Sequence, residues 1–137
     1  MNSDDGSIIA DSSALISLLI ATDSNHKKAI ELALLFKNHN KTLIVPPEIY
    51  AEMLNILGKK FGHEKAYQCA TIIIGFDFCT IVESNEGVRF NALKKFRHLK
   101  ESISFMDCIV MSFADHFETK NIFGFDRGFE LNGYALL

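Results

Sequence analysis

Four short runs constrain how this chain folds: Ile8-Ile9-Ala10, Leu43-Ile44-Val45, Cys79-Thr80-Ile81-Val82 and Asn121 to Phe125. Each is strand length and mostly apolar, and stretches with apolar residues at helical spacing separate them. Neighbouring residues of a strand point to opposite faces, so a run apolar at every position needs cover on both. That pattern predicts an α/β fold: a central, mainly parallel sheet of four to five strands with helices on both faces. Tyr134 to Leu137 is the expected fifth strand. With 137 residues, the chain has the size of one ordinary domain and can bury a core without disulfides. Residues 1–7 read as a loose tail and 8–137 as the domain.

The helical stretches have recognisable ends. One opens at Ser12-Ser13 with Leu15, Leu18 and Leu19 on its apolar side. A second starts after Ser24 or Asn25 and runs to about Lys37. Pro46-Pro47 ends the second strand, and Pro47 suits the first turn of a helix reaching about Leu57, with Gly58 or Gly62 near its end. Further helices are expected over about His63 to Gly75, Glu86 to Leu99 and Ser104 to Glu118.

Acidic residues fall at telling places. Ligands of an open α/β sheet bind at the carboxyl ends of its strands. Asp11 follows the first strand and Asp126 the fourth. On the third helix Ile49, Tyr50, Met53, Leu54, Ile56 and Leu57 form the apolar arc. Glu52 sits at its border, with Glu48 and Asn55 on the same polar strip. On the sixth, Met106, Ile109, Val110, Phe113, Ala114 and Phe117 form the arc, with Asp107 at its border in the first turn and Asp115 further toward solvent. Asp11, Glu52, Asp107 and Asp126 can thus converge on one sheet edge. Two carboxylates about 5 Å apart repel by roughly 3 kcal/mol at an effective dielectric of 20. A cluster therefore calls for protonation or a bound cation. Oxygen ligands without His or Cys select Mg²⁺ or Mn²⁺, and metal held by carboxylates suits phosphodiester hydrolysis.

Four segments carry a resemblance: Ile9-Ala10-Asp11-Ser12-Ser13-Ala14-Leu15, Val45 through Leu57, Ser104 through Val110, and Phe123-Gly124-Phe125-Asp126-Arg127-Gly128-Phe129. In that order and spacing the chain resembles the PIN-domain family, and within it the VapC-like toxins. The resemblance implies a metal-dependent endoribonuclease whose metal-binding and catalytic set is Asp11, Glu52, Asp107 and Asp126. Ser12 would help order the metal site and Ser104 would support Asp107. It also implies an RNA substrate, a cognate antitoxin and a homodimer. One position departs: the family often has Ser or Thr two residues before the last Asp, where this chain has Gly124.

Blander readings stand beside these. Asp11 alone is an ordinary N-cap, Asp126 a turn residue, Glu52 a surface glutamate, and Ser104-x-x-Asp107 a capping box. Glu48 reads as a first-turn acid favoured by the helix dipole, with a secondary part in the site as the alternative, and Asp4, Asp5 and Asp115 as solvated. Lys94 and Lys95, with Arg97 and Lys100, form a basic stretch beside a Phe90, Leu93, Phe96 stripe. They are a solvated face or an RNA contact, and Arg127 either reaches an RNA phosphate or pairs with a carboxylate. The net charge of −3 counts against a module that grips nucleic acid through phosphates alone. It leaves room for a nuclease using metal, or for a catalytically silent PIN-like module that binds RNA or protein. The five histidines show no zinc spacing. Three scattered cysteines and an acidic amino terminus suggest a reducing, cytoplasmic setting, and no apolar run approaches a membrane span.

Overall fold

Burial along the first strand shows how the molecule is layered. In the computed structural model, which describes residues 6–137, β1 (Ser7–Ala10) buries Ile8, Ile9 and Ala10 in succession. Consecutive side chains point to opposite faces, so both faces of this strand are covered. The same holds for Leu43, Ile44 and Val45 of β2 (Thr42–Val45). With β3 (Cys79–Ile81), β4 (Asn121–Phe123) and β5 (Ala135–Leu136), they form one sheet in the order β3-β2-β1-β4-β5. Every pairing is parallel.

The helices among the described residues are α1 (Ser12–Leu19), α2 (His26–Asn38), α3 (Pro47–Phe61), α4 (His63–Gly75), α5 (Glu86–His98), α6 (Phe105–His116) and α7 (Gly128–Leu131). α3 carries Pro47 at its start and continues through Gly58; Gly62, at φ +89°, breaks the chain before α4. Only glycine adopts that backbone without strain. α6 packs on β1 and β4 and α2 on β2, and Phe36 of α2 meets Phe123 of β4 edge-on.

The sequence expectations meet four corrections. Residues 1–5 of the expected tail, Asp4 and Asp5 included, lie outside the described residues, but Ser7 is already in the sheet, paired with Thr42. β4 stops at Phe123, because its partners run out at Ala10 and Leu136. Gly124 and Phe125 therefore stand between the strand and Asp126. Ile56 belongs to no buried arc and is 39% exposed. The Phe90, Leu93, Phe96 stripe is likewise exposed, and α5 instead buries Val88 and Ala92. Part of its contact with α6 is polar: Ser112 donates to the Val88 carbonyl at 2.6 Å, and Asn91 donates to Ser112 and Asp115. Of the three stripe residues, Phe96 still meets α6, edge-on to Phe105 at 5.7 Å between centroids, while remaining half exposed.

Candidate active site

The sheet order turns at β1. From there β2 and β3 build to one side, β4 and β5 to the other. A crevice opens at the carboxyl ends of strands at such a turning point, here between β1 and β4. Asp11 sits on it. Its backbone N–H donates to the Phe123 carbonyl at 2.9 Å, which extends the β1–β4 ladder to the first residue past the strand. Asp11 is the N-cap of α1, yet its side chain makes no cap hydrogen bond. It accepts instead from the Ser13 hydroxyl at 2.7 Å. The N-cap reading therefore explains its backbone and not its carboxylate.

Asp11 is 6% exposed. Burial pushes its carboxyl up from 3.8 to about 6. The Ser13 hydroxyl and Ser12 backbone pull it down, and the charges of Asp107 and Glu52 push it further up. Those charges act because α1 packs on α3 and α6 packs on both β1 and α3. Ser12 links two of these elements directly: its hydroxyl donates to Glu52 Oε1 at 2.5 Å. Thus Asp11, Glu52 and Asp107 share a neighbourhood on the sheet's carboxyl edge.

Each of the four acids accepts a hydrogen bond at one oxygen, Glu52 from Ser12 on α1 and the other three from donors two or three residues away. Asp107 and Ser104 form a reciprocal capping box: the Ser104 N–H donates to Asp107 Oδ2 at 2.9 Å and the Asp107 N–H to Ser104 Oγ at 3.0 Å. The cap fixes the aspartate without consuming its second oxygen. Ser104→Ala should cost about 1 kcal/mol of stability in a denaturant melt, the usual worth of an N-cap, while the backbone N–H at 104 still holds the Asp107 carboxylate. Asp126 Oδ1 accepts from the Gly128 N–H at 2.8 Å, tying the turn into α7. The turn reading thus holds for one of its oxygens. α7, at four residues, is too short to show periodicity in the sequence.

Other anticipated residues lie apart from this neighbourhood. Asn55 is exposed and lines a groove between α3 and α4 with Lys59 and His63. Lys95 is drawn inward to Asp115 at 2.9 Å. Asp115 also accepts from the Tyr134 hydroxyl at 2.7 Å and from Asn91, so it is a structural anion, its carboxyl held low against burial by these partners. That corrects the solvated reading of Asp115. Lys94 lies over the Phe90 ring on the outer face of α5. Arg127 is exposed beside Asp126, on a cavity described below.

Sequence reasoning passed over one group and ranked a second below its bland reading. Ser13 is the hydroxyl that holds Asp11, and its only signal was its place two residues on. Glu48 was read as a dipole acid, yet its Oε1 is buried with no hydrogen-bond partner, an arrangement the dipole alone does not explain. Gly124 is buried, and a Cβ there would stand 3.3 Å from the Asp11 Cβ and 3.3 Å from Ile122 Cγ2. The residue that departs from the family pattern is therefore packed directly on Asp11.

The chemistry of the donors fits a hard divalent cation. All four are carboxylates, the buried one lies beside two like charges, and the Cys108 thiol is pushed up by burial and then by Asp107, away from a thiolate ligand. Among the described residues, however, no three His, Cys, Asp or Glu side chains gather closely enough to hold a metal as they stand.

The PIN domain family model matches residues 8–133. Among solved structures, the Mycobacterium tuberculosis toxin VapC20, described as cleaving the sarcin–ricin loop, superposes with a TM-score of 0.81 at 21% identity, covering 93% of this chain and 96% of that one. At that identity the likeness concerns the fold. No curated protein sequence matches the chain. No helix among the described residues is long and apolar enough to cross a membrane. Since the family model spans nearly the whole sheet, from Ile8 of β1 to the turn before β5, this chain belongs to the PIN-domain family.

Proposed function

We propose that this protein is a Mg²⁺- or Mn²⁺-dependent endoribonuclease, the toxin of a toxin–antitoxin pair, acting in the cytoplasm as a homodimer. The observation that carries the reading is Asp11: a buried carboxylate with its pKa raised to about 6 beside the charges of Asp107 and Glu52. Such a group is costly unless a cation joins it, and strongly perturbed acids cluster at functional sites. Asp11, Glu52 and Asp107 would hold the metal, with Asp126 at the outer margin. A bound divalent ion supplies an activated water and steadies charge on the phosphate and leaving oxygens. Ser13 orients Asp11, Ser12 orients Glu52 and Ser104 orients Asp107, which leaves the cation's position to be set by fixed oxygens. The toxin role, antitoxin and dimer rest on the family and on the fold shared with a toxin.

The splay of the acids favours a second reading, a silent PIN-like module that binds RNA or protein. One experiment separates them: incubation of purified protein with single-stranded RNA, with Mg²⁺ or with EDTA. Cleavage is expected in Mg²⁺, absent in EDTA, and lost in Asp107→Asn. Binding of RNA without metal-dependent cleavage would favour the silent module.

A further inference from the structure

A cavity of about 680 Å³ lies between the α5–α6 connection and α7, with Asp126 on its wall. Its other wall residues divide by chemistry. Lys100 and Arg127 bring positive charge, and neither is ion-paired among the described residues. Ile103 and Leu131 bring apolar surface, and Leu131 is 81% exposed, the most of any large apolar residue described. Asn132 donates its amide to the Gly128 carbonyl at 2.7 Å, which fixes the side chain and leaves its own carbonyl oxygen without a partner.

The position of this cavity matters. The chain at Gly124 rests on Asp11, and two residues later Asp126 enters the cavity wall. Two residues span at most about 7 Å, so the cavity adjoins the acid cluster. The protein has 17 acidic and 14 basic residues. Two unpaired cations flanking apolar surface beside an acidic cluster are thus a local reversal of charge. A metal ion would neutralise only the phosphate being cut. The next phosphates of a polyanion need cations of the protein, and its bases and riboses need apolar contact and a hydrogen-bond acceptor.

We infer that the groove between the α5–α6 connection and α7 seats the single-stranded RNA next to the cleaved bond, with Lys100 and Arg127 on its phosphates and Leu131 and Asn132 against a base. This rests on the ribonuclease reading above. It specifies where the strand runs, which the acids do not.

The test is binding of a fluorescent single-stranded RNA by the full-length protein in EDTA, across 50–200 mM salt. Each phosphate contact contributes a slope of about −0.7 in log K against log salt. Lys100→Ala/Arg127→Ala should therefore flatten the slope by about 1.4 and weaken binding on the order of tenfold at 200 mM salt. A charge-matched control on α2, Lys27→Ala/Lys28→Ala, should retain wild-type binding. Leu131→Ala should weaken binding without changing the slope. All five residues are exposed or on the surface, so the melts should stay at the wild-type value. Equal binding by all variants, or equal weakening by the two double variants, overturns the inference. So does a wild type that cleaves this RNA in Mg²⁺ but does not bind it in EDTA. A wild type that never cleaves RNA instead removes the ribonuclease reading itself.

Discussion

Asp11→Asn, without metal at pH 7.5, is expected to make the protein more stable by up to about 3 kcal/mol while removing RNA cleavage. The size follows from the Asp11 carboxyl, raised from 3.8 in the unfolded chain to about 6 in the folded one. Below pH about 4 the carboxyl is protonated in both states and the folded protein bears no buried charge. As pH rises from 4 to 6 the unfolded chain ionises first and stability falls. Above about 6 the folded chain carries the charge and the full cost is present. The amide is neutral throughout and can still accept from Ser13. The gain over wild type should therefore appear between pH 4 and 6, hold at 7.5 and vanish near pH 4. Urea melts at pH 4 and 7.5 measure it. Equal destabilisation at both pH values would mean that the buried charge is not costly. Even outer-shell partners of a metal cost 10–100-fold in affinity or activity, so loss of a ligand should cost about a hundredfold or more in cleavage. A stability gain coupled to an activity loss marks a site under functional constraint.

Phe123→Ala should have the largest destabilising effect, about 4 kcal/mol. Phe123 is fully buried at the end of β4, edge-on to Phe36 at 5.3 Å between centroids, and its carbonyl receives the Asp11 N–H. Truncation removes the ring and leaves a cavity under the β1–β4 crevice that the sheet cannot collapse to fill. A urea melt should show the midpoint moving strongly with little change in slope. Leu131→Ala, where the side chain is already in solvent, should move it hardly at all. A small effect at Phe123 would mean that the crevice is not supported from below in the way the packing indicates.

The parts legible in the sequence are those in which local chemistry and burial agree. Ile8 to Ala10 and Leu43 to Val45 are apolar at every position because both faces are covered, and the run itself carries that information. The α3 start at Pro47 and the Ser104–Asp107 box are local signals read directly. The misplaced features depend on partners distant in sequence. β4 ends where Ala10 and Leu136 end, so no inspection of Asn121 to Phe125 could stop it at Phe123. Phe90, Leu93 and Phe96 make a convincing stripe, but α6 offers that helix Ser112 and Asp115 over much of the seam, and Phe96 reaches α6 at Phe105 while staying half exposed. Asp115 looked solvated because Lys95 and Tyr134 lie 20 and 19 residues away along the chain. At the site, the tether of Asp107 was legible as a capping box and that of Asp11 lay only two residues on, at Ser13, but the Ser12–Glu52 bond appears only once α1 is placed against α3.

The central claim is that Asp11, Glu52 and Asp107 together hold a divalent cation. It is tested most directly by thermal melts at pH 7.5 in EDTA and in rising Mg²⁺ or Mn²⁺, for wild type, Asp11→Asn and Asp107→Asn. A metal that binds only the folded protein adds about 1.4 kcal/mol at ten times its Kd. Wild type should start less stable than Asp11→Asn and rise by that amount as metal is added, while neither variant responds. A rise of the same size in all three proteins, or none in wild type even with RNA present, would contradict it.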